Sequence, residues 1–165
     1  MIWKRFIDAL SEEKNICAEL LELAGEKQKA IMDKDIDALD AVVRREQGAA
    51  LRLGHWEKQR LACMDALNVN VQAPSGTATA LFFADSAPPE EARAIRTLCG
   101  ELGALVSELA GRNAENKVLV ESRLEYARFV MDALSAEESA GLYGAGGGSQ
   151  PHESGPKKGL IDRKA

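Results

Sequence analysis

Apolar residues at the start of the chain recur with the spacing of an amphipathic helix. Between residues 2 and 32 they return every seven positions, at Trp3, Leu10, Cys17, Ala24 and Ile31. Charged Glu13 and Lys27 fall on the intervening apolar position, so the seam is imperfect. The pattern predicts one long helix with a single face turned towards a core.

A second long helix is predicted from about residue 36 to about residue 70. The turn before it, Asp33-Lys34-Asp35, is short and polar, and Asp35 can cap the new helix. Because the turn is so short, we expect the two helices to form an antiparallel hairpin. The apolar seam of the second helix is interrupted by three charged residues: Glu46, Glu57 and Arg60.

All five prolines fall between residues 71 and 89 or after residue 141. Since an interior proline breaks a helix, these regions mark the gaps between helices. Residues 77–84 fit a short helix, which is slightly favoured over an extended plug formed by Phe82 and Phe83. A last long helix is predicted from about Pro88 to Ser135.

The middle of the last helix is polar, with Arg112, Asn116 and Arg123 on its apolar seam. A seam asparagine sets helix register at a cost in stability. Asn113 and Asn116, one turn apart, could instead bind the backbone of a partner. The register interpretation is favoured.

The first and last helices differ in length, at roughly 46 Å against roughly 72 Å for a rise of 1.5 Å per residue. In an up-down-up arrangement the last helix would outrun the first and leave apolar side chains uncovered. A partner helix, a second copy of the chain or the tail would then cover them. In the alternative, a kink near Gly100, Gly103 or Gly111 packs the helix onto its own hairpin.

The predicted fold is therefore all-α, an antiparallel helical hairpin plus a long C-terminal helix in an elongated bundle of three to four helices. We predict a helical bundle domain over residues 1–140 and a flexible Gly/Pro-rich tail over residues 141–165. Seven of the 14 glycines lie between residues 141 and 159. Such a composition buries too little surface to offset the entropy lost on ordering.

Net charge and hydropathy disfavour nucleic acid and the membrane interior as partners. The net charge of −5 disfavours duplex nucleic acid, which requires a basic face. Four basic and two acidic residues give the tail +2, which leaves −7 for residues 1–140. The apolar runs are far shorter than the roughly 20 residues that span a bilayer. We expect no membrane insertion and, because the start resembles no signal segment, a cytoplasmic protein.

Residues for catalysis or metal binding are sparse. Cys17, Cys63 and Cys99 stand far apart and are expected to be buried. His55 and His152 have no second ligand at suitable spacing. The glycine-rich run 144–148 lacks the Lys-Ser/Thr of a phosphate loop. We expect no enzyme activity and no cofactor.

Several stretches resemble the FlgN family of flagellar export chaperones. The strongest are Asn113-Ala114-Glu115-Asn116-Lys117 and Leu142-Tyr143-Gly144. Residues 53–60, 118–120, 124–127 and 160–165 are also similar to the family. The resemblance covers most of the chain but not the segment from 74 to 89.

The resemblance implies a chaperone of hook-associated proteins, which join the flagellar hook to its filament. Such a chaperone keeps the helical ends of these proteins from assembling before export, and export-apparatus components are further partners. The family binds through its C-terminal half and implies no nucleotide or metal. The implied contacts are Leu119, Tyr126, Val130 and Leu134, with Leu142 and Tyr143 as outer contacts.

Two other functions fit the same helical pattern. A structural coiled-coil homodimer would use the apolar surface of the last helix as its dimer face. A helical regulatory adaptor of a kinase or transcription complex would bind a different partner there. A monomer that forms a stoichiometric complex with a junction protein distinguishes the chaperone from the dimer.

Overall fold

The computed structural model describes the backbone of residues 1–71 and 79–144, and side chains for residues 1–68 and 79–136. Over these residues the chain forms four α-helices and no strand, which confirms the all-α prediction. No helix in the described part is long and apolar enough to cross a membrane. The helices are α1 (Ile2–Asp33), α2 (Ile36–Val71), α3 (Ala80–Ser86) and α4 (Pro89–Gly144).

A capping motif ends α1 and starts α2. Lys34 adopts a left-handed conformation with φ of 59°, and its N–H donates to the carbonyl of Ile31. The N–H of Asp35 donates to the carbonyl of Ala30, which completes a Schellman motif. The predicted cap is present, because Asp35 Oδ1 accepts from the N–H of Ala38 at 2.9 Å.

Ion pairs across α1 and α2 show that these helices run in opposite directions. From Glu13 through Glu19 to Glu26 along α1, the number of the partner on α2 falls from 60 through 52 to 45. Two of the pairs join residues that interrupt the apolar seams predicted for the two helices. The pairs are Glu13 with Arg60, Glu19 with Arg52, Glu26 with Arg45, and Lys27 with Glu46.

Two apolar clusters form the core of the described residues. The first lies where all four helices meet, and Phe6 contacts Phe83 there in an edge-on arrangement at 6.3 Å between centroids. The second joins α1 to α2 through Ile16, Leu23, Val42 and Ala49. The first cluster consists of Phe6, Leu10, Cys63, Met64, Leu67, Phe83, Ala84 and Ile95.

The short helix α3 closes one end of the first cluster. Thr79 caps it, with Oγ1 accepting from the N–H of Phe82. Phe83 is fully buried, Phe82 is half-buried and Leu81 is exposed. The Phe-Phe segment is therefore a helix rather than an extended plug.

The N-terminal part of α4 packs on α1 in a parallel direction. Lys14 pairs with Glu101 at 3.1 Å, and Gln28 donates to Glu115 at 3.2 Å. Further along, Arg123 donates to the carbonyl of Met32 at 3.4 Å, close to the end of α1. The partner number rises along both helices, so they share one direction.

Backbone contacts divide the chain into two units at Leu124. Unit 1, Met1–Leu124, holds α1, α2, α3 and α4 up to Leu124. Unit 2 begins at Glu125, and its described part is the rest of α4. The division predicted from the sequence, a bundle over residues 1–140 and a tail over residues 141–165, stays a prediction. Residues 145–165 lie outside the described part of the chain.

The end of α4 differs from the prediction, since the helix continues past Ser135 to Gly144. The polar run after Ser135 suggested an end. Residues 136–140 contain two alanines and two glutamates, which are good helix formers, and no proline interrupts them.

Candidate partner-binding surface

Exposed apolar side chains line one face of α4 in unit 2. Tyr126, Phe129 and Leu134 are 66%, 70% and 57% exposed, and Val130 between them is half-buried. Their spacing of three and four residues puts them on one face of a helix. We call Tyr126, Phe129, Val130 and Leu134 the C-terminal apolar stripe.

Three polar residues lie on the opposite side of the same segment. Arg128, Asp132 and Ser135 fall between the members of the stripe, about half a turn away from its centre. Met131, which is 67% exposed, lies about as far around the helix from the centre of the stripe as Asp132 does. Exposed apolar surface of this extent on an amphipathic helix is typical of a binding face.

The residues implied by the family resemblance are divided between the two units. Tyr126, Val130 and Leu134 belong to the stripe in unit 2. Leu119 is half-buried in unit 1. The side chains of Leu142 and Tyr143 lie outside the described set, so their role stays a prediction.

Phe129 is the member of the stripe that was absent from the predicted contacts. It is the most exposed of the four. Its position three residues after Tyr126 and one before Val130 is the sequence signal that assigns it to the same face.

The polar interruption of α4 contacts α1 within unit 1. The side-chain Nδ2 of Asn116 donates to the carbonyl of Ala24 at 2.8 Å, and Asn116 is only 3% exposed. Arg112 Nη1 donates to Gln28 Oε1 at 3.1 Å. Asn116 therefore holds α4 against α1, in agreement with the register interpretation, whereas Asn113 is exposed.

A buried ion pair joins α1 to α2 in the same unit. Arg60 Nε donates to both carboxylate oxygens of Glu13, at 2.9 and 3.0 Å. Burial raises the pKa of Glu13 above its ordinary value of 4.5, although the hydrogen bond and charge of Arg60 oppose the rise. The pair is a structural feature of the hairpin, because it joins α1 to α2 next to Leu10 and Cys17 of α1 and Leu53 of α2.

The cysteines and the described histidine occupy structural positions. Cys17 and Cys63 are buried and Cys99 is half-buried, each as a free thiol. Burial raises the pKa of Cys17 and Cys99, which disfavours the reactive thiolate. His55 is exposed and packs edge-on against Trp56 at 5.6 Å between centroids. Within the described ranges, no three metal-ligating side chains cluster.

The chain is a helical protein with an exposed apolar stripe near the end of its last helix, as far as the described residues show. A model of the FlgN protein family matches residues 1–151. The chain therefore belongs to the FlgN family, the family of flagellar export chaperones. Neither a curated protein nor a solved structure matches the chain.

Proposed function

We propose that this chain is a cytoplasmic type III export chaperone for hook-associated proteins. It binds their helical assembly segments and masks them until the proteins are secreted. Membership of the FlgN family supports the general role, since chaperones of this family bind flagellar proteins. The exposure of the C-terminal apolar stripe is the observation that supports the proposed mode of binding.

Binding at the stripe follows from its amphipathic pattern. An amphipathic helix of the client packs its apolar face against Tyr126, Phe129 and Leu134, which are exposed in the free chain. Each large apolar side chain that becomes buried contributes about 1.5–3 kcal/mol before the costs of association. The same contact covers the client surface that would otherwise polymerise.

Further contacts come from the family resemblance. Leu119, Leu142 and Tyr143 are proposed to contact the client in addition to Tyr126, Val130 and Leu134. Export-apparatus components are proposed as a second set of partners that receive the loaded chaperone. The cycle requires no covalent step and no cofactor.

The main alternative is a homodimer that covers the stripe with a second copy of the chain. It is favoured by the same exposed side chains, because an apolar stripe on a helix is also suited to a coiled coil. In that case the stripe serves assembly rather than client capture.

Co-expression with the hook-associated proteins of the source organism separates these functions. We expect a monomer that forms a stoichiometric complex with a hook-associated protein, measured by size-exclusion chromatography with light scattering. A tight dimer that binds none of these proteins would contradict the proposal and support the homodimer.

A further inference from the structure

The tail carries an apolar pair with basic residues on both sides. Leu160 and Ile161 are adjacent in the sequence, and two basic residues stand close to them in each direction. Residues 157–165, which we call the apolar-basic segment, contain four basic residues and one acidic residue, a net charge of +3. Such a segment is suited to an apolar surface that is bordered by carboxylates. The basic residues are Lys157, Lys158, Arg163 and Lys164.

The part of α4 that carries the C-terminal apolar stripe has the opposite charge. Residues 125–144 contain four acidic residues and one basic residue, a net charge of −3. The position of Glu125 is four residues before Phe129, and residues 137 and 138 are glutamates three and four positions after Leu134. Acidic positions therefore adjoin both ends of the stripe on the helix surface.

Two of these carboxylates are available to a cationic partner. Glu125 and Asp132 are both exposed. Neither has an ion-pair partner among the residues that the structure describes. A basic segment that reaches the stripe can therefore approach carboxylates that are not already paired there.

The apolar-basic segment is attached close enough to reach the stripe. Phe129 lies 15 residues before Gly144, the last residue of α4, which is about 22 Å along the helix. Leu160 follows Gly144 by 16 residues. A glycine-rich random coil of that length spans about 20–24 Å, and a fully extended chain spans about 53–58 Å. The intervening sequence is therefore long enough to bring Leu160 back to the stripe without strain.

The tail is a better occupant of the stripe than a second copy of the chain. Because it belongs to the same chain, its effective concentration at the stripe is about millimolar, whereas a second copy is present only at its concentration in solution. Two copies of residues 125–144 also bring −3 against −3, whereas the apolar-basic segment brings +3 to the same surface. Connectivity and charge favour the same occupant.

We propose that the apolar-basic segment docks reversibly on the C-terminal apolar stripe of its own chain. Leu160 and Ile161 contact Phe129 and Val130, and the flanking basic residues approach the carboxylates that border the stripe. A client that binds the stripe has to displace the segment. The contact itself does not rest on the proposed chaperone function, whereas its effect on client binding does.

The docked segment lowers the apparent affinity of the chain for a client. A client binds only those molecules whose stripe is free, so its apparent dissociation constant rises by the reciprocal of that fraction. A segment that is docked half of the time raises this constant about twofold, and one that is docked nine-tenths of the time raises it about tenfold. The segment therefore acts as a competitor that is built into the chain.

Site-specific photo-crosslinking of the full-length chain tests the contact without any client. The probe is the Phe129→p-benzoylphenylalanine variant, because Phe129 is 70% exposed and tolerates a larger ring. We expect crosslinks within one chain to the tryptic peptide of residues 159–163, identified by mass spectrometry. Leu51→p-benzoylphenylalanine is the matched control, since Leu51 is an exposed apolar residue of α2. No crosslink to this peptide, an equal yield from Leu51, or products that join two chains would each overturn the proposal.

Substitutions in the tail identify the residues that make the contact. Leu160→Ser/Ile161→Ser is expected to lower the crosslinking yield from position 129 at least about threefold. Gln150→Ser/His152→Ser is the control, because it changes two uncharged positions of the tail outside the apolar-basic segment. An unchanged yield in Leu160→Ser/Ile161→Ser, or an equal loss in the control, would overturn the proposal.

Client affinity separates a failure of this inference from a failure of the proposed function. A hook-associated protein is expected to bind Leu160→Ser/Ile161→Ser about two- to tenfold more tightly than the wild type in calorimetric titration. Equal affinities would overturn the inference and leave the chaperone function standing. If the crosslink to residues 159–163 forms but no hook-associated protein binds either chain, the chaperone function is wrong and the contact of the tail stands.

Discussion

Arg60 on α2 donates from Nε to both carboxylate oxygens of Glu13 on α1, at 2.9 and 3.0 Å. Both residues interrupt an otherwise apolar seam, and Glu13 is only 4% exposed. A shift of one residue in the pairing of α1 and α2 would leave two desolvated charges without partners. The pair therefore selects one register of the hairpin, at the cost of burying a carboxylate.

Removing one partner of the Glu13–Arg60 pair is expected to destabilise the fold more than replacing both partners with apolar residues. Arg60→Met is expected to lower the free energy of unfolding by about 3 kcal/mol, because it leaves the buried carboxylate of Glu13 unpaired. Glu13→Leu is expected to lower it by less, because the Arg60 side chain is 20% exposed and keeps Glu57 at 3.9 Å. The double variant is expected to lie within about 1 kcal/mol of the wild type. Urea unfolding of the four proteins measures the cycle.

An exposed ion pair provides the control for this cycle. Asp40 and Arg44 pair at 2.9 Å on the surface of α2, with both side chains mostly exposed. Asp40→Ala is expected to change the stability by about 0.5 kcal/mol or less. Additive losses in the Glu13/Arg60 double variant would contradict the role assigned to the pair.

The pKa of Glu13 predicts a pH dependence of stability. Because the pKa is raised above 4.5 in the folded chain, the folded state binds a proton more readily than the unfolded state. The contribution of Glu13 to stability is full below 4.5 and is lost as the pH rises through the raised pKa.

Comparison with Glu13→Gln isolates this contribution from that of the other carboxylates. As the pH falls from 7 towards 4.5, the wild type is expected to gain stability relative to Glu13→Gln in urea unfolding. A difference that moves in the other direction, with the wild type losing ground on acidification, would show that Arg60 lowers the pKa instead.

Asn116 is expected to specify register rather than to add stability. Its Nδ2 bonds Ala24, while its Oδ1 has no partner among the described residues. Asn116→Leu removes this unsatisfied acceptor and is expected to leave stability unchanged or raise it by about 1 kcal/mol. Asn116→Asp buries a charge and is expected to cost at least about 2 kcal/mol. Thermal unfolding of both variants measures this, and an equal loss in both would refute it.

Phe83 and Leu81 provide a matched pair on α3. Phe83 is fully buried in the first core cluster, whereas Leu81 is 52% exposed. Phe83→Ala is expected to cost about 3–5 kcal/mol, as is usual for an aromatic side chain in a core. Leu81→Ala is expected to cost less than about 1 kcal/mol. Similar losses in chemical unfolding would mean that α3 does not close the core.

Periodicity alone predicted much of the fold. In α1, Leu10, Cys17, Ala24 and Ile31, which recur every seven residues, are buried as expected. Each long helix was identified because its apolar spacing extends over many turns, and the Asp35 cap was identified from its position in a polar turn. The family was also identified from its residues, and the family model covers residues 1–151.

Contacts between two helices could not be predicted from the apolar pattern of either helix alone. Glu13 and Lys27 looked like defects of α1, and Glu46 and Arg60 looked like defects of α2. Their pairing depends on the register between the helices, which neither pattern contains. The seven residues of α3 make only two turns, too few for periodicity to separate a helix from a plug. The groove lined by Ile31, Val43 and Val120 requires α1, α2 and α4 to be in place.

The proposed function depends on whether a client covers the C-terminal apolar stripe. The most direct measurement is the affinity of a purified hook-associated protein for the wild type and for Val130→Glu/Leu134→Glu, by isothermal titration calorimetry. Leu51→Glu/Leu61→Glu is the control, since it also adds two charges, at two exposed apolar positions of α2 that are not part of the stripe. For Val130→Glu/Leu134→Glu we predict a loss of affinity of at least about 100-fold, because two apolar contacts are replaced by buried charges. Unchanged affinity in a double variant that remains folded by circular dichroism would contradict the proposal.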